Sequence, residues 1–382
     1  LDGVIIQLVR ECPPGHGGVE RVAHELASAW QASGDLTSTI SLQPYSPSVD
    51  DPSLPVQYRR NSLPSIHFGR QLLIPLPSRR LWTVLTSAEV LHVHLPCPGL
   101  LVVSVLARLF KPSRTIRLHW HAFLQPPRGP QGGLISVYQW LALRWAGFGV
   151  QAVVTTSPVV AEALVQEGVK PQKVVVLPCC LGELQEQLYT KIAEERRHWH
   201  LRNEQQPLRL LFIGRLDSYK RVDWLIEACV ETKVAELHVV GDGPMRLQLE
   251  RMAQACEINQ VVVFHGRISE NEKLILLRDS DLLVLPADCS NEAFGIVQLE
   301  AMACGVPALA FDIPRSGMAW VSGLREFLGL PYLTCNNLVE SIELLSRNPK
   351  LLFEASKAAQ CRYLDTFSRK IWQVNLVALL AR

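Results

Sequence analysis

Two glutamates and the run between them carry the densest chemical signal in this chain: Glu292-Ala293-Phe294-Gly295-Ile296-Val297-Gln298-Leu299-Glu300, continuing through Ala301-Met302-Ala303-Cys304 to Gly305, with Pro307 beyond. The last glycine and the proline are stop signals for a helix that opens near Gly295. Glu292 then lies on the entering loop and Glu300 about a turn and a half inside, so both carboxylates can face one pocket with free backbone N–H groups between them. A carboxylate accepts two hydrogen bonds from vicinal hydroxyls such as those of a ribose or hexose, and the N–H groups suit phosphate or sugar oxygens. The same pair also suits an acidic helix start that complements its own dipole. Spacing alone leaves both readings open.

Further candidates sit at other strand ends. Gly214-Arg215-Leu216-Asp217-Ser218-Tyr219-Lys220-Arg221 follows an apolar strand and offers a forked and a point cation to a diphosphate; a solvated basic loop is the plainer alternative. Gly17 and Gly18, in Pro14-Gly15-His16-Gly17-Gly18-Val19-Glu20-Arg21, let backbone approach a phosphate at a helix start, or simply make a tight turn. His119 and His121 alternate with Leu118 and Trp120 and share one strand face. With His92 and His94 they could hold a metal, but no carboxylate or cysteine ligand pattern completes a site, so none is assigned. Asp279-Ser280-Asp281 spells the Asp-x-Asp of metal-dependent transferases; lying between a helix end and a strand start, it reads as scaffold. Gly241, in a Val-Gly-Asp-Gly-Pro strand end, and Arg267, after Phe264-His265-Gly266, complete the set, although turn chemistry explains these glycines without function.

These residues need elements to hold them. Short apolar runs at 4–8, 90–94, 115–121, 152–155 and 173–177 alternate with helical patterns at 19–32, 100–110 and 158–167, the signature of parallel strands covered by helices. The rhythm stops between Cys179 and Pro207. It restarts with strands at 208–213, 236–240, 261–264, 282–285 and 307–311 and helices between them. The reading is α/β: two Rossmann-like domains facing each other across a ligand-binding cleft. Residues 1–180 are expected to form the first domain, 181–206 a linker and 207–350 the second domain. Residues 351–382 are expected as a helix whose Tyr363, Phe367 and Trp372 pack back on the first domain.

Composition narrows the class. The 382 residues carry 38 basic and 36 acidic side chains, a net charge of +2, which gives no footprint for wrapping nucleic acid. Ten scattered cysteines without a Cys-x-x-Cys read as reduced thiols of a cytoplasmic protein. No apolar run approaches the roughly 20 residues of a membrane span, and no secretory signal is recognised.

The paired-glutamate run, with its Phe-Gly and Glu-Ala-Met-Ala-x-Gly, resembles the motif of the family 4 (group 1) retaining glycosyltransferases, which have the GT-B fold, and the likeness extends over most of the chain. The resemblance implies that Glu300 holds the nucleotide ribose and Glu292 the donor sugar, with Ala293, Phe294, Gly295 and Ile296 lining sugar and phosphate. It implies that Arg215 and Lys220 neutralise the leaving nucleoside diphosphate, that Gly17 and Gly18 touch donor phosphate or acceptor, and that Gly241 and Arg267 edge the donor pocket. A family histidine at the end of the 115–121 strand contacts the donor sugar in a supporting catalytic role; the Trp-His order favours His121 over His119. No metal, cofactor or protein nucleophile is then required. The donor is a nucleoside diphosphate hexose, mannosyl or glucosyl favoured, and the acceptor a glycan or lipid-linked hydroxyl in polysaccharide or glycolipid synthesis.

The chain departs from the family at Leu177-Pro178-Cys179-Cys180-Leu181-Gly182, where relatives usually carry Pro-Asn-Gly, and at Ala287 in place of a serine. A sugar-nucleotide epimerase or hydrolase, or an inactive nucleotide-sugar binder, fits the same architecture. Residues 59–75, with Arg59, Arg60 and Arg70 among apolar neighbours and Arg79 and Arg80 beyond, read either as a loop capping the first domain or as a peripheral contact with an anionic membrane on the inner face of the plasma membrane.

Overall fold

The computed structural model describes residues 4–15, 17–45, 55–68, 72–196, 206–258 and 261–380. The chain divides into two compact units, residues 1–182 together with 373–382, and residues 183–372.

In the first unit, strands β1 (Val4–Val9), β2 (Leu36–Ser41), β3 (Arg59–Ser62), β6 (Val90–Leu95), β7 (Thr115–Trp120), β8 (Ala152–Thr155) and β9 (Val174–Val176) form one parallel sheet in the order β3-β2-β1-β6-β7-β8-β9, while β4 (Ser65–Phe68) and β5 (Leu72–Pro75) make a separate antiparallel hairpin. Leu8, Leu91, Val93, Ile116, Leu118 and Val153 are fully buried, as expected for strands covered on both faces. Helices start where the sequence caps them. Ser157 accepts from Val160 N ahead of Pro158, and Ser78 accepts from Leu81 N.

The second unit has a five-stranded sheet of β10 (Leu208–Ile213), β11 (Ala235–Val240), β12 (Val262–Gly266), β13 (Leu282–Leu285) and β14 (Ala308–Ala310), ordered β12-β11-β10-β13-β14. Every pair in it is parallel. Asp281 is tied to the start of β10: its carboxylate accepts from Arg209 N at 2.9 Å and its N–H donates to Arg209 O at 2.9 Å.

Two segments differ from the expected layout. Most of the region read as linker, Glu183–Arg196, is a helix of the second unit. It buries Tyr189 and Ala193, and the Tyr189 hydroxyl pairs with Glu270 at 3.1 Å. Residues 197–205 of the expected linker lie outside the described residues. The C-terminal segment is not one helix: Pro349–Arg362 is followed by a π-turn at Tyr363–Phe367 and a second helix, Arg369–Leu380. Tyr363 and Phe367 pack within the second unit, where Tyr363 donates to Glu186 at 2.8 Å and Phe367 meets Phe294 and Trp320 edge-on. Only residues 373–382 cluster with the first unit. Among the described residues, no helix is long and apolar enough to cross a membrane.

The strand ends of the second unit are laced together. Gly214 N donates to Val240 O (3.0 Å), Leu216 N to Asp242 O (3.0 Å) and Gly241 N to Gly266 O (2.7 Å). Gly241 has φ +129°, and a Cβ there would lie 1.9 Å from Gly214 O; one on Gly243 would meet Leu216 backbone at 2.6 Å. Only glycine lets these loops touch. Gly241→Ala is therefore expected to cost about 3 kcal/mol or more of the second unit's stability, read by urea unfolding. An alanine variant as stable as the parent would mean that the contact is not required.

Candidate active site

In the second unit, the loop after β10 turns through Arg215 to Asp217 into a 3-10 turn, Ser218–Lys220, and then a left-handed residue, Arg221 (φ 50°), that starts the next helix. This sharp path brings the Lys220 ammonium inward, where it is almost fully buried and bonds directly to the Glu292 carboxylate. Burial is the largest single influence and works against that charge, but Glu292 together with Tyr219 and Asp217 outweighs it, so the ammonium stays protonated above its ordinary range. Arg215 by contrast is exposed, paired with Asp217 at 3.1 Å. The two loops are also joined by backbone, Asp288 N donating to Tyr219 O at 3.0 Å.

The glutamate run is held from behind. Ser316 Oγ donates to Glu292 O (2.6 Å), Gly317 N to Ala293 O (2.8 Å) and Gln298 Nε2 to Phe294 O (2.6 Å), with Gly295 in the left-handed region at φ +71°. The helix opens at Val297 rather than near Gly295, so Glu300 falls in its first turn and not deeper. Glu300 is buried and accepts from Lys273 at 3.1 Å; Lys273 also bonds Glu270 at 2.8 Å. Lys273 is fixed because Ser269 and Glu272 form a capping box at the start of its helix. Arg267 is exposed just beyond β12. The structure thus joins Lys220 to Glu292 directly and lays Gly241 against the Arg215 loop.

In the first unit, Gly17 is the N-cap of the helix Gly18–Ala32, both glycines are exposed, and the Glu20 carboxyl folds back over Gly17. His16 lies outside the described residues. His119 is fully buried inside β7, whereas His121 follows the strand's last residue with a small exposed edge. His94 Nδ1 and His121 Nε2 are 2.7 Å apart, and His92 Nε2 and His119 Nδ1 3.2 Å apart. Burial pushes all four imidazoles below the ordinary histidine range, His121 to about 3, so they are neutral. His92, His94 and His119 bring ring nitrogens within 4.8 Å of one another, as a metal would need, but both nitrogens of His94 are already bonded, to His121 and to Gln7 Oε1 at 2.9 Å.

Both units are similar to known proteins. The family model described as Glycosyltransferase Family 4 matches residues 16–181, and Glycosyl transferases group 1 matches 193–362. The chain is a group 1 glycosyltransferase of family 4. It is 27% identical to the D-rhamnosyltransferase WbpZ of Pseudomonas aeruginosa, over 92% of this chain and 88% of that one. It is 24% identical to the O-antigen chain mannosyltransferase C of Escherichia coli, over 79% and 77%. The sucrose-phosphate synthase of Thermosynechococcus elongatus has a similar structure (TM-score 0.77, 19% identity, 99% of this chain and 98% of that one), which shows the GT-B fold of two Rossmann-like domains.

Sequence reasoning did not single out several residues of this glycosyltransferase. Gln7 interrupts an otherwise apolar strand, and Lys273 sits four positions before the buried Leu277 on the inner face of its helix; either break in pattern is a readable signal. Glu20, in the run 14–21, carries no motif that marks it in the sequence. Its carboxyl is pushed up to about 7, by burial first and by the charge of Glu11 second. Because its folded pKa lies above the unfolded one, the neutral acid stabilises the fold fully below about pH 4.5, and that contribution is lost as pH rises through about 7. Glu20→Gln should flatten this part of the stability profile and gain on the order of 3 kcal/mol over the parent at pH 8. Parallel pH profiles of the two proteins in thermal unfolding would show that Glu20 titrates normally.

Proposed function

We propose that this glycosyltransferase moves a hexosyl group, with retention, from a nucleoside diphosphate sugar to a hydroxyl of a glycan or lipid-linked acceptor. The observation that carries the reading is the buried Lys220–Glu292 pair beside the Arg215 loop, with Glu300 in the first turn of the following helix. An ammonium already held charged by Glu292 can turn to a diphosphate, and Arg215, half-committed to Asp217, can follow it. Glu292 is then released to accept from sugar hydroxyls while Glu300 accepts from the ribose. These cations stand where a metal-dependent enzyme would need an ion, so no resident metal or cofactor is invoked. The leaving phosphate, stabilised in this way, takes the acceptor's proton on the front face of the sugar, which needs no protein nucleophile. His121 is the first unit's candidate for a hydrogen bond to a sugar or acceptor hydroxyl. A manno-configured donor, mannose or its 6-deoxy form, is favoured because two relatives matched over most of their length are named for mannosyl and D-rhamnosyl transfer.

Calorimetry with GDP, UDP, ADP and their sugars tests this. One base series should bind, and Glu300→Ala should weaken it at least about tenfold. Failure of every nucleotide to bind would remove the donor site. Release of free sugar without any acceptor would identify a hydrolase, and binding without turnover an inactive binder.

A second reading concerns location. The segment read as a capping loop or membrane contact is β3 and the β4–β5 hairpin, and two of its cations are turned to backbone: Arg60 donates to Pro13 O and Arg80 to Ser62 O. Arg70 lies outside the described residues. The helix Pro130–Phe148 offers a better candidate, since Leu134 (73% exposed), Val137, Trp140 (55%), Leu141 and Phe148 (73%) form one stripe along it with Arg144 beside Trp140. We propose that this stripe rests on an anionic membrane, with Trp82 and Phe110 of the neighbouring helices. Phosphatidylglycerol vesicles should co-sediment the protein at low salt and release it as salt rises, and Trp140→Ser with Phe148→Ser should weaken binding roughly tenfold. No binding at low salt would end the idea.

A further inference from the structure

The buried polar chain of the first unit has a fixed direction. Gln7 Nε2 lies 2.8 Å from Ala23 O, a carbonyl that can only accept, and 3.2 Å from Thr39 Oγ1, so the amide nitrogen must be on that side. Its oxygen, Oε1, is then the atom 2.9 Å from His94 Nε2, which must carry a proton to donate. A neutral His94 has no proton on Nδ1, and Nδ1 therefore accepts across 2.7 Å from His121 Nε2. The two ring planes are 16° apart with centroids 5.0 Å apart, so this bond runs close to both ring planes, edge to edge. His119, by contrast, stacks flat on His121 at 4.2 Å and 3° and pairs with His92, outside this chain of bonds.

We propose that Gln7 and His94 are positioning residues that hold His121 in its Nε2–H tautomer, leaving a bare Nδ1 at the end of β7 to accept a hydrogen bond from a hydroxyl of the sugar or acceptor. The use of that acceptor rests on the reading of His121 given above; the tautomer does not. Each link follows from a donor or acceptor that has no alternative role, beginning at a backbone carbonyl. The neutral state that burial imposes on both rings is what makes the chain directional, because an imidazolium would donate at both ends.

Protein labelled with 15N-histidine reports the tautomer directly, with His121 assigned by its loss in His121→Ala. Wild-type His94 and His121 should both show Nε2–H. In His94→Leu, His121 should lose its single tautomer, and kcat should fall about tenfold or more while the donor KM moves less than about threefold. His94→Asn, whose Oδ1 replaces Nδ1 as acceptor, should restore most of both. His92→Leu, cut at the same depth in the neighbouring pair, should leave the His121 signal single. Should His94→Leu fail to fold, the wild-type spectrum still decides. A wild-type His121 carrying its proton on Nδ1, or an unchanged tautomer in His94→Leu, overturns the proposal. If His121→Ala turns over donor at the wild-type rate, the role of His121 falls and positioning with it; if that variant is inactive but the wild-type proton sits on Nδ1, the tautomer assignment falls alone.

Discussion

A lysine ammonium with almost no access to water must meet a negative charge, and in the second unit that requirement shapes everything around Lys220. Its partner, Glu292, comes from the loop after a different strand, so β10 and β13 have to lie side by side with their carboxyl ends aligned. The strand-end glycines, the left-handed Arg221 and the Ser316–Gly317 brace on residues 292–293 all serve that alignment. A buried ion pair of this kind adds little net stability, because desolvating both charges consumes most of what their attraction returns. Its value lies elsewhere: the pair presents ammonium and carboxylate already oriented against each other. On the proposed function, a diphosphate arriving at Lys220 would replace one anion with another instead of stripping water from a free cation.

The same logic extends to Lys273 and Glu300. Lys273 is shared between Glu270 and Glu300, and Tyr189 of the helix Glu183–Arg196 closes on Glu270. That helix thus belongs with the second unit through polar contacts as well as through buried Tyr189 and Ala193, which explains why a segment without strand rhythm is nevertheless ordered.

How far the sequence reveals this depends on the kind of signal. Continuous apolar runs such as Leu282-Leu-Val-Leu and the flanking helical periods locate ten of the parallel strands, because a strand buried on both faces must be apolar throughout. Strand β2, Leu-Thr-Ser-Thr-Ile-Ser, escapes for the opposite reason: Thr37, Thr39 and Ser41 are buried but polar, and Thr39 is satisfied by Gln7. The helix Pro130–Phe148 escapes because its apolar residues point to both faces, core and outside, and leave no clean period. In the site, the glutamate run and the Arg-Lys loop are legible as local motifs. Gln7 and Lys273 show only as breaks in an apolar pattern and His94 only as one of four histidines, since the role of each depends on a partner more than twenty positions away.

Burial therefore acts in opposite directions in the two units. In the second it encloses Lys220 with Glu292 and Lys273 with Glu300, so that each cation meets a carboxylate, and the Lys220 ammonium is held charged. In the first it encloses four imidazoles with one another and with an amide, and charge is expelled: His92, His94, His119 and His121 are all driven neutral, and Glu20 is driven toward its protonated form. The proposed transfer, with a dianionic leaving group and an uncharged sugar, would use both environments. Charged groups would stabilise the departing phosphate, while neutral groups would distinguish hydroxyls by the direction of a hydrogen bond without attracting the phosphate themselves. That distinction is available only if the neutral groups keep one tautomer, which is why a glutamine in the middle of an apolar strand is consequential for this fold.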